Sequence, residues 1–402
     1  MTKRSEVRGR GIDRRRFIAG SLAGSLAGLA GACSSRGDRT AATTTGSASS
    51  GAGSAHAAAP APVASPPASK SILVLGGTSF LGPHVVTSAL TRGHTVTLFN
   101  RGKTRPGLFP GVEKLHGDRD GHLEALAGRS WDAVVDPSGY VPRIVKMSAE
   151  LLAPRVKHYV FISTISVYST HDIVNADESA PVMTIADPSN EDSKANYGAL
   201  KALSERAAEA AMPGRVANLR PGLIIGPGDM TGRFTHWPTR LAAGGEVLAP
   251  GNGSTPVQYV DGRDLGAWIV RVIEDGTVGT MNALGPAQPV AMKQVLDACN
   301  YAVGDRAKLT WVDADFLDSH GVSGWTDMPM WIDNRGDWGG FGTLQNTRAV
   351  KAGLAFRPIA DTARDTLAWL ATLPEVERGK ARSSGIAPDK EAAVLAAWKA
   401  RK

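Results

Sequence analysis

From Ser71 onward the chain alternates between two spacings of apolar residues, and this alternation restricts the fold more than any other feature. "SILVLG" (71–76) is a short continuous apolar run, "PHVVTSALTRG" (83–93) has helical spacing and stops at Gly93, and "HTVTLFN" (94–100) is strand-like again. Further strands are expected at "VEKLHG", "WDAVVD", "HYVFIS" and "RVANLRPG", with helices at "RIVKMSAELLAP" and "ANYGALKALSERAAEAAM". Strand, helix, strand, repeated, implies a parallel sheet covered on both faces. The expected fold class is therefore α/β, a Rossmann-type doubly wound parallel sheet, with ligands at the carboxyl ends of its strands.

The alternation loosens beyond about Pro221. "DLGAWIVRVIEDG" and "AMKQVLDACNYAV" still read as helices, but residues 318–345 carry Trp325, Trp331 and Trp338 among glycines and polar residues. Two readings stay open for this Trp-rich stretch: a loop whose indoles plug the surface, or a lid whose aromatic faces bind a ring or a sugar. The expected division is a dinucleotide-binding domain over 71–230 and a smaller substrate-binding region with C-terminal helices over 231–402.

What precedes Ser71 has another character. The net charge of +7 invites a nucleic-acid reading, but residues 1–32 hold seven cationic residues against Glu6 and Asp13, leaving +2 on the other 370 residues. Nucleic acid is thus a poorly supported partner. "DRRRFIAG" (13–20), followed by a weakly apolar stretch ending before Cys33, resembles a twin-arginine export signal with Arg14 and Arg15 as the pair. A membrane anchor is the rival, yet Phe17 to Ala32 is short and rich in Gly, Ala and Ser for a bilayer core of ~30 Å. Ala30-Gly31-Ala32 offers a cleavage site, while "LAGAC" resembles a lipoprotein box that would acylate Cys33. The expected localisation is extracytoplasmic, by way of the twin-arginine translocation machinery, with or without a lipid anchor at Cys33. Residues 33–70, almost wholly Ser, Thr, Gly, Ala and Pro, bury too little apolar area to offset their ordering entropy and read as a disordered tether. Beyond Cys33 the sequence has only Cys299, in a helical pattern, so no disulfide is expected within the folded part.

Three motifs carry chemistry. "GGTSFLG", Gly76, Gly77, Thr78, Ser79, Phe80, Leu81 and Gly82, joins the first strand to the first helix, where backbone amides and the helix dipole favour a pyrophosphate. Gly76 suits the tight turn and Gly82 close helix packing, but Ser79 stands where the middle glycine of the fingerprint belongs. The second strand ends at Asn100-Arg101, where an acid would hold the ribose of NAD; neutral Asn100 with Arg101, Lys103 and Arg105 leans toward NADP. Lastly, "YGALK" puts Tyr197 and Lys201 at i and i+4 on one helix face, downstream of the hydroxyl-bearing "FISTISVY". No His or Cys cluster has metal-ligand spacing, and no metal is expected.

Taken in order, Gly76 to Gly82, Thr164, Tyr197, Lys201 and "RPGLIIGPGD" (220–229) resemble the extended short-chain dehydrogenase/reductases, the NAD-dependent epimerase/dehydratase group, over about residues 71–300. The resemblance implies that Tyr197 is the acid/base, that Thr164 holds a substrate hydroxyl, and that Lys201 binds the nicotinamide ribose and lowers the Tyr197 pKa. It implies cofactor contacts at residues 76–82, Asn100, Arg101, Asp118 (the acid near the adenine) and Pro221. The implied partner is a sugar-like small molecule acted on at a hydroxyl or carbonyl. Sugar-nucleotide members place a diphosphate-binding arginine just before the segment equivalent to "YVDGRDL", where this chain has "STPVQ" (254–258). Two rivals keep the fold and drop the chemistry: a degenerate sugar- or cell-wall-binding protein, and an RNA-binding protein like the chloroplast stem-loop binders. His84, His94, His116, His122 and His158 have no assigned role; Asp136 is a neighbour of the cofactor edge, and Asp261, Arg263 and Asp264 cap and anchor a helix.

Overall fold

The computed structural model describes residues 68–401. The expected export signal, Cys33 and all but the last three residues of the expected tether lie outside the described residues. Each strand expected before residue 222 forms: β1 (Ser71–Leu75), β2 (Thr95–Asn100), β3 (Glu113–His116), β4 (Trp131–Asp136), β5 (Val156–Ile162) and β6 (Val216–Pro221). β1 and β6 are almost entirely buried, as their unbroken apolar runs require of strands covered on both faces. They form one parallel sheet ordered β3-β2-β1-β4-β5-β6, extended by a seventh strand. The chain enters at β1, runs outward to β3, then crosses back to β4. The carboxyl ends of β1 and β4 thus flank the crevice where such sheets bind ligands.

Helices α1 (Leu81–Thr91), α2 (Pro142–Leu152) and α3 (Tyr197–Ala211) make the crossovers. After β6, Gly222 leads directly into β7 (Leu223–Ile225) and a second lobe: α4 (His236–Ala243), β8 (Gly245–Pro250), β9 (Pro256–Asp261) and, later, β11 (Gly285–Ala291), α6 (Met292–Ala302) and β12 (Ala307–Val312). β11, β9 and β7 form one small sheet, and β12 pairs with β8. Trp237, Tyr259, Met292, Cys299 and Trp331 share the core of this lobe. Burial pushes the unpaired Cys299 thiol up to about 12, as expected of a small apolar core residue.

The expected boundary at residue 230 needs correction. β10 (Gly279–Ala283) is the seventh strand of the main sheet, parallel to β6, and α5 (Gly262–Asp275) packs on α1. Leu265, Ile269 and Ile273 of α5 share a core with Ile72, Val74 and Val85. The excursion through β7, α4, β8 and β9 interrupts the alternation, so the return to the sheet was not visible as a repeat. Asp261 caps α5 by accepting from the Arg263 amide at 2.8 Å, and also holds the Arg263 guanidinium and the Thr362 hydroxyl.

Candidate active site

The glycine turn is built by close approach. Gly76 and Gly77 have φ of +119° and +87°, and the Gly76 amide donates to the Phe99 carbonyl at 2.8 Å, tying the turn to β2. A Cβ on Gly82 would stand 2.6 Å from the Gly77 backbone, and one on Gly77 would stand 2.6 Å from Leu98. No side chain therefore fits where the first turn of α1 meets the strand end, and backbone alone lines it. Phe80, which precedes α1, has φ of +34°, strained for a non-glycine residue. Ser79 is exposed, and its hydroxyl fills no interior space. With glycine wherever a Cβ would collide and a helix N-terminus facing the turn, these residues fit a dinucleotide pyrophosphate.

Asn100 donates from Nδ2 to the Gly76 carbonyl at 2.9 Å and accepts from the Gly102 amide at 2.8 Å. Its amide is spent on joining two turns rather than left open to a ribose. Arg105, whose Nε donates to the Thr78 carbonyl at 2.8 Å, leans over the glycine turn, while Arg101 stands exposed 3.8 Å from Asp118. Asp118 lies half-exposed beyond the end of β3, its backbone paired in both directions with His122. Its neighbour Arg119 turns inward, at 2.6 and 2.7 Å from the two oxygens of Asp136, which also accepts from the Tyr159 hydroxyl at 2.8 Å. Sequence reading passed over Arg119, although "HGDRD" places a cation opposite the acid that ends β4.

Thr164 follows β5, and Tyr197 opens α3. Gly198 brings them together, since a Cβ there would sit 2.0 Å from the Ser166 carbonyl, so only glycine lets α3 lie flush on the 164–167 turn. The long segment between them is pinned by Arg220, which pairs bidentately with Glu205 of α3 at 2.7 and 2.9 Å and donates to the Glu178 carbonyl at 3.2 Å. The backbone amide of Asn282 in β10 donates to the Glu178 carboxylate at 2.8 Å. Pro221 ends β6, buried and paired with Ala283.

Electrostatics at the triad differ from the expectation. Burial pushes the Tyr197 phenol above its ordinary value, helped by nearby Tyr140, while Thr164 and Arg233 pull it down. Lys201, expected to do that work, is buried and bonded through Nζ to the carbonyls of Ile162 at 2.5 Å and Gly139 at 2.7 Å. Its ammonium lies 4.2 Å from the centre of the Phe161 ring. Desolvation lowers its pKa to about 7. The cation acting on Tyr197 is Arg233, from the segment between β7 and α4, which no sequence spacing links to the tyrosine.

The Trp-rich stretch divides between the two readings left open for it. Trp331 is a plug, buried, with Nε1 donating to Thr255 Oγ1 at 3.1 Å. Trp325 faces the site instead, with the Arg233 guanidinium 5.6 Å from its ring centre. Trp338 stacks on His171 of the 164–197 segment at 5.2 Å, and the Gly340 amide donates to the His171 carbonyl at 2.7 Å. The two long segments thus dock on one another.

A curated relative, the 2-alkyl-3-oxoalkanoate reductase of Stenotrophomonas maltophilia (strain K279a), is 28% identical over 261 residues, 58% of this chain and 76% of that protein. Another, the chloroplast stem-loop binding protein of 41 kDa b of Arabidopsis thaliana, is 27% identical over 225 residues; the match spans 51% of this chain and a little over half (56%) of that protein. Among solved structures, the UDP-glucuronic acid 4-epimerase of Bacillus cereus in complex with NAD matches 74% of this chain and 98% of its own with a TM-score of 0.53, at 14% identity. That likeness is one of fold. The model of the NAD dependent epimerase/dehydratase family matches residues 72–283, just over half of the sequence and all seven strands of the main sheet except the first residue of β1, and the chain belongs to that family.

Proposed function

We propose that the chain is an NAD(P)-dependent oxidoreductase of the extended short-chain type, acting as an epimerase, dehydratase or reductase on a hydroxyl or carbonyl of a small molecule. The observation that carries this reading is the meeting of Thr164, Tyr197 and Lys201 at the carboxyl edge of the sheet that also bears the glycine turn. Residues 76–82 would hold the pyrophosphate, with Asn100 bracing the turn and Arg101 at the adenosine ribose, Asp118 near the adenine, and Lys201 and Pro221 toward the nicotinamide end. When bound, the nicotinamide ring supplies a reversible two-electron carrier. Thr164 orients the substrate oxygen, and Tyr197 gives or takes its proton through the phenol oxygen. Arg233 and Thr164 make the ionised phenol less costly. The commitment of Asn100 to backbone, together with Arg101 and Arg105 beside the turn, supports NADP over NAD.

The leader supports export through the twin-arginine pathway, with Cys33 as a candidate lipid anchor. A cofactor loaded before export and scarce outside must be regenerated in place, which favours a closed cycle such as epimerisation or dehydration over net release of reduced cofactor. Denaturing the exported protein and identifying the released nucleotide by mass tests this; no nucleotide, with no binding of added NAD or NADP, overturns it. Tyr197→Phe separates the rivals. An enzyme loses about 10²- to 10⁴-fold in turnover while keeping its ligand. A sugar-binding protein, or an RNA binder of the kind one relative's name describes, keeps its activity.

A further inference from the structure

The arginines flanking this site are paired with carboxylates: Arg119 with Asp136, Arg220 with Glu205, Arg263 with Asp261 and Asp365. Arg105 and Arg233 are the exceptions among the described residues, and Arg105 is spent on the Thr78 carbonyl. Arg233 is half-buried, and no carboxylate among the described residues lies within ion-pair distance of it. Asp229, the acid whose charge it feels, has one oxygen bound by the Thr231 amide at 2.8 Å and hydroxyl at 2.6 Å, and its other oxygen is buried without a partner among the described residues. Arg233 itself uses only Nε, donating to Thr231 Oγ1 at 3.0 Å, so Thr231 holds the guanidinium apart from the acid that could neutralise it. Trp325 covers it at 5.6 Å, and its charge reaches Tyr197. A guanidinium kept from a carboxylate, roofed by an indole and with its two terminal nitrogens unengaged among the described residues is arranged for an oxyanion from elsewhere, which its planar fork binds in bidentate fashion.

We propose that Arg233 binds an anionic group of the substrate, a carboxylate or a phosphate ester, under the Trp325 ring, so that the carbon bearing the reacting oxygen faces Tyr197 and Thr164. The substrate is then a small hydroxy- or oxo-acid or a phosphorylated sugar rather than a nucleotide sugar. The segment before Tyr259 supports this: Gln258 spends its side-chain amide on the Leu344 backbone, donating at 2.7 Å and accepting at 3.0 Å, and has nothing to offer a diphosphate. This inference rests on the oxidoreductase reading for the reacting end of the site, but not for the anion itself.

Two matched pairs of probes test it on the exported protein, by titration calorimetry with nucleotide content measured on the same sample: 3-hydroxybutyrate against its amide, and glucose 6-phosphate against glucose. The expected result is that one anion binds about 10- to 100-fold more tightly than its neutral counterpart, that Arg233→Gln abolishes the preference, and that Arg233→Lys keeps part of it. The arm that responds identifies carboxylate or phosphate. Wild-type protein preferring neither anion, or a preference unchanged in Arg233→Gln, overturns the inference. If Arg233→Gln fails to fold, wild-type selectivity and Arg233→Lys decide. Wild-type protein holding nucleotide without anion preference sinks this inference alone. Arg233-dependent preference in protein that neither holds nor binds nucleotide upholds it and sinks the oxidoreductase reading.

Discussion

Ser79 and Gly82 stand at two different glycine positions of the dinucleotide fingerprint, and their surroundings differ. Ser79 is exposed, so Ser79→Gly should leave thermal stability within about 0.5 kcal/mol and nucleotide content unchanged. Gly82→Ala drives a Cβ to 2.6 Å from the Gly77 backbone, which cannot turn aside as a side chain could. It should abolish nucleotide retention and lower the melting temperature; a Gly82→Ala protein that still copurifies with nucleotide refutes this account of the turn. Lys201 gives a pH signature of its own. Its pKa falls from an ordinary 10.5 to about 7 on folding, because burial disfavours the ammonium. Between those values the unfolded chain holds a proton that the folded one lacks. Stability of the nucleotide-free protein should therefore rise with pH across roughly 7 to 10, by at most ~1.4 kcal/mol per unit, and flatten below 7. Chemical denaturation at several pH values checks it, and Lys201→Met should remove the slope.

α3 carries Tyr197 and Lys201, two of the three residues of the proposed site, and its seat is set by a residue with no chemistry. Glu205, one turn beyond Lys201, is locked by Arg220 of β6, and Gly198 lets the helix start lie on the Ser166 carbonyl. Gly198→Ala must lift that end of α3 off the turn, moving Tyr197 from Thr164. Overpacking of this kind costs about 1–3 kcal/mol, and misplacement by an ångström costs about 100-fold in rate. The expected phenotype is a folded protein with nucleotide still bound, turnover reduced at least tenfold, and a lowered melting temperature. Full activity in Gly198→Ala would mean that the helix seat is not set there. "YGALK" made Tyr197 and Lys201 legible because they share one helix face within five residues. Gly198 was not, since its partner lies on the far side of a long segment and a glycine in a helix announces only that something comes close. Arg233 was hidden for the same reason: its meaning depends on Thr231, Asp229 and Trp325 converging from two segments.

At the scale of the molecule, the first six strands were legible in the sequence because their apolar runs stand out against turns and helical spacing, with α1, α2 and α3 joining β1 to β2, β4 to β5 and β5 to β6. The seventh was not, because β7, α4, β8 and β9 intervene before α5 and β10 return. That return has a physical consequence. Without β10, the β6 edge presents unpaired amides and carbonyls; without α5, the apolar faces of α1 and the sheet, Ile72, Val74 and Val85 among them, lose the cover of Leu265, Ile269 and Ile273. A dinucleotide-binding half cut at residue 230 should therefore not fold, although it contains the glycine turn, Thr164, Tyr197 and Lys201. Expressed as residues 71–230, it should show no cooperative thermal transition and bind neither NAD nor NADP, whereas residues 71–402 should melt cooperatively. A stable, nucleotide-binding 71–230 fragment would mean that the second lobe is an appendage. The close joining of the lobes argues otherwise, since the strand that completes the main sheet also anchors Glu178, whose carbonyl accepts from the same Arg220 that locks Glu205 of α3.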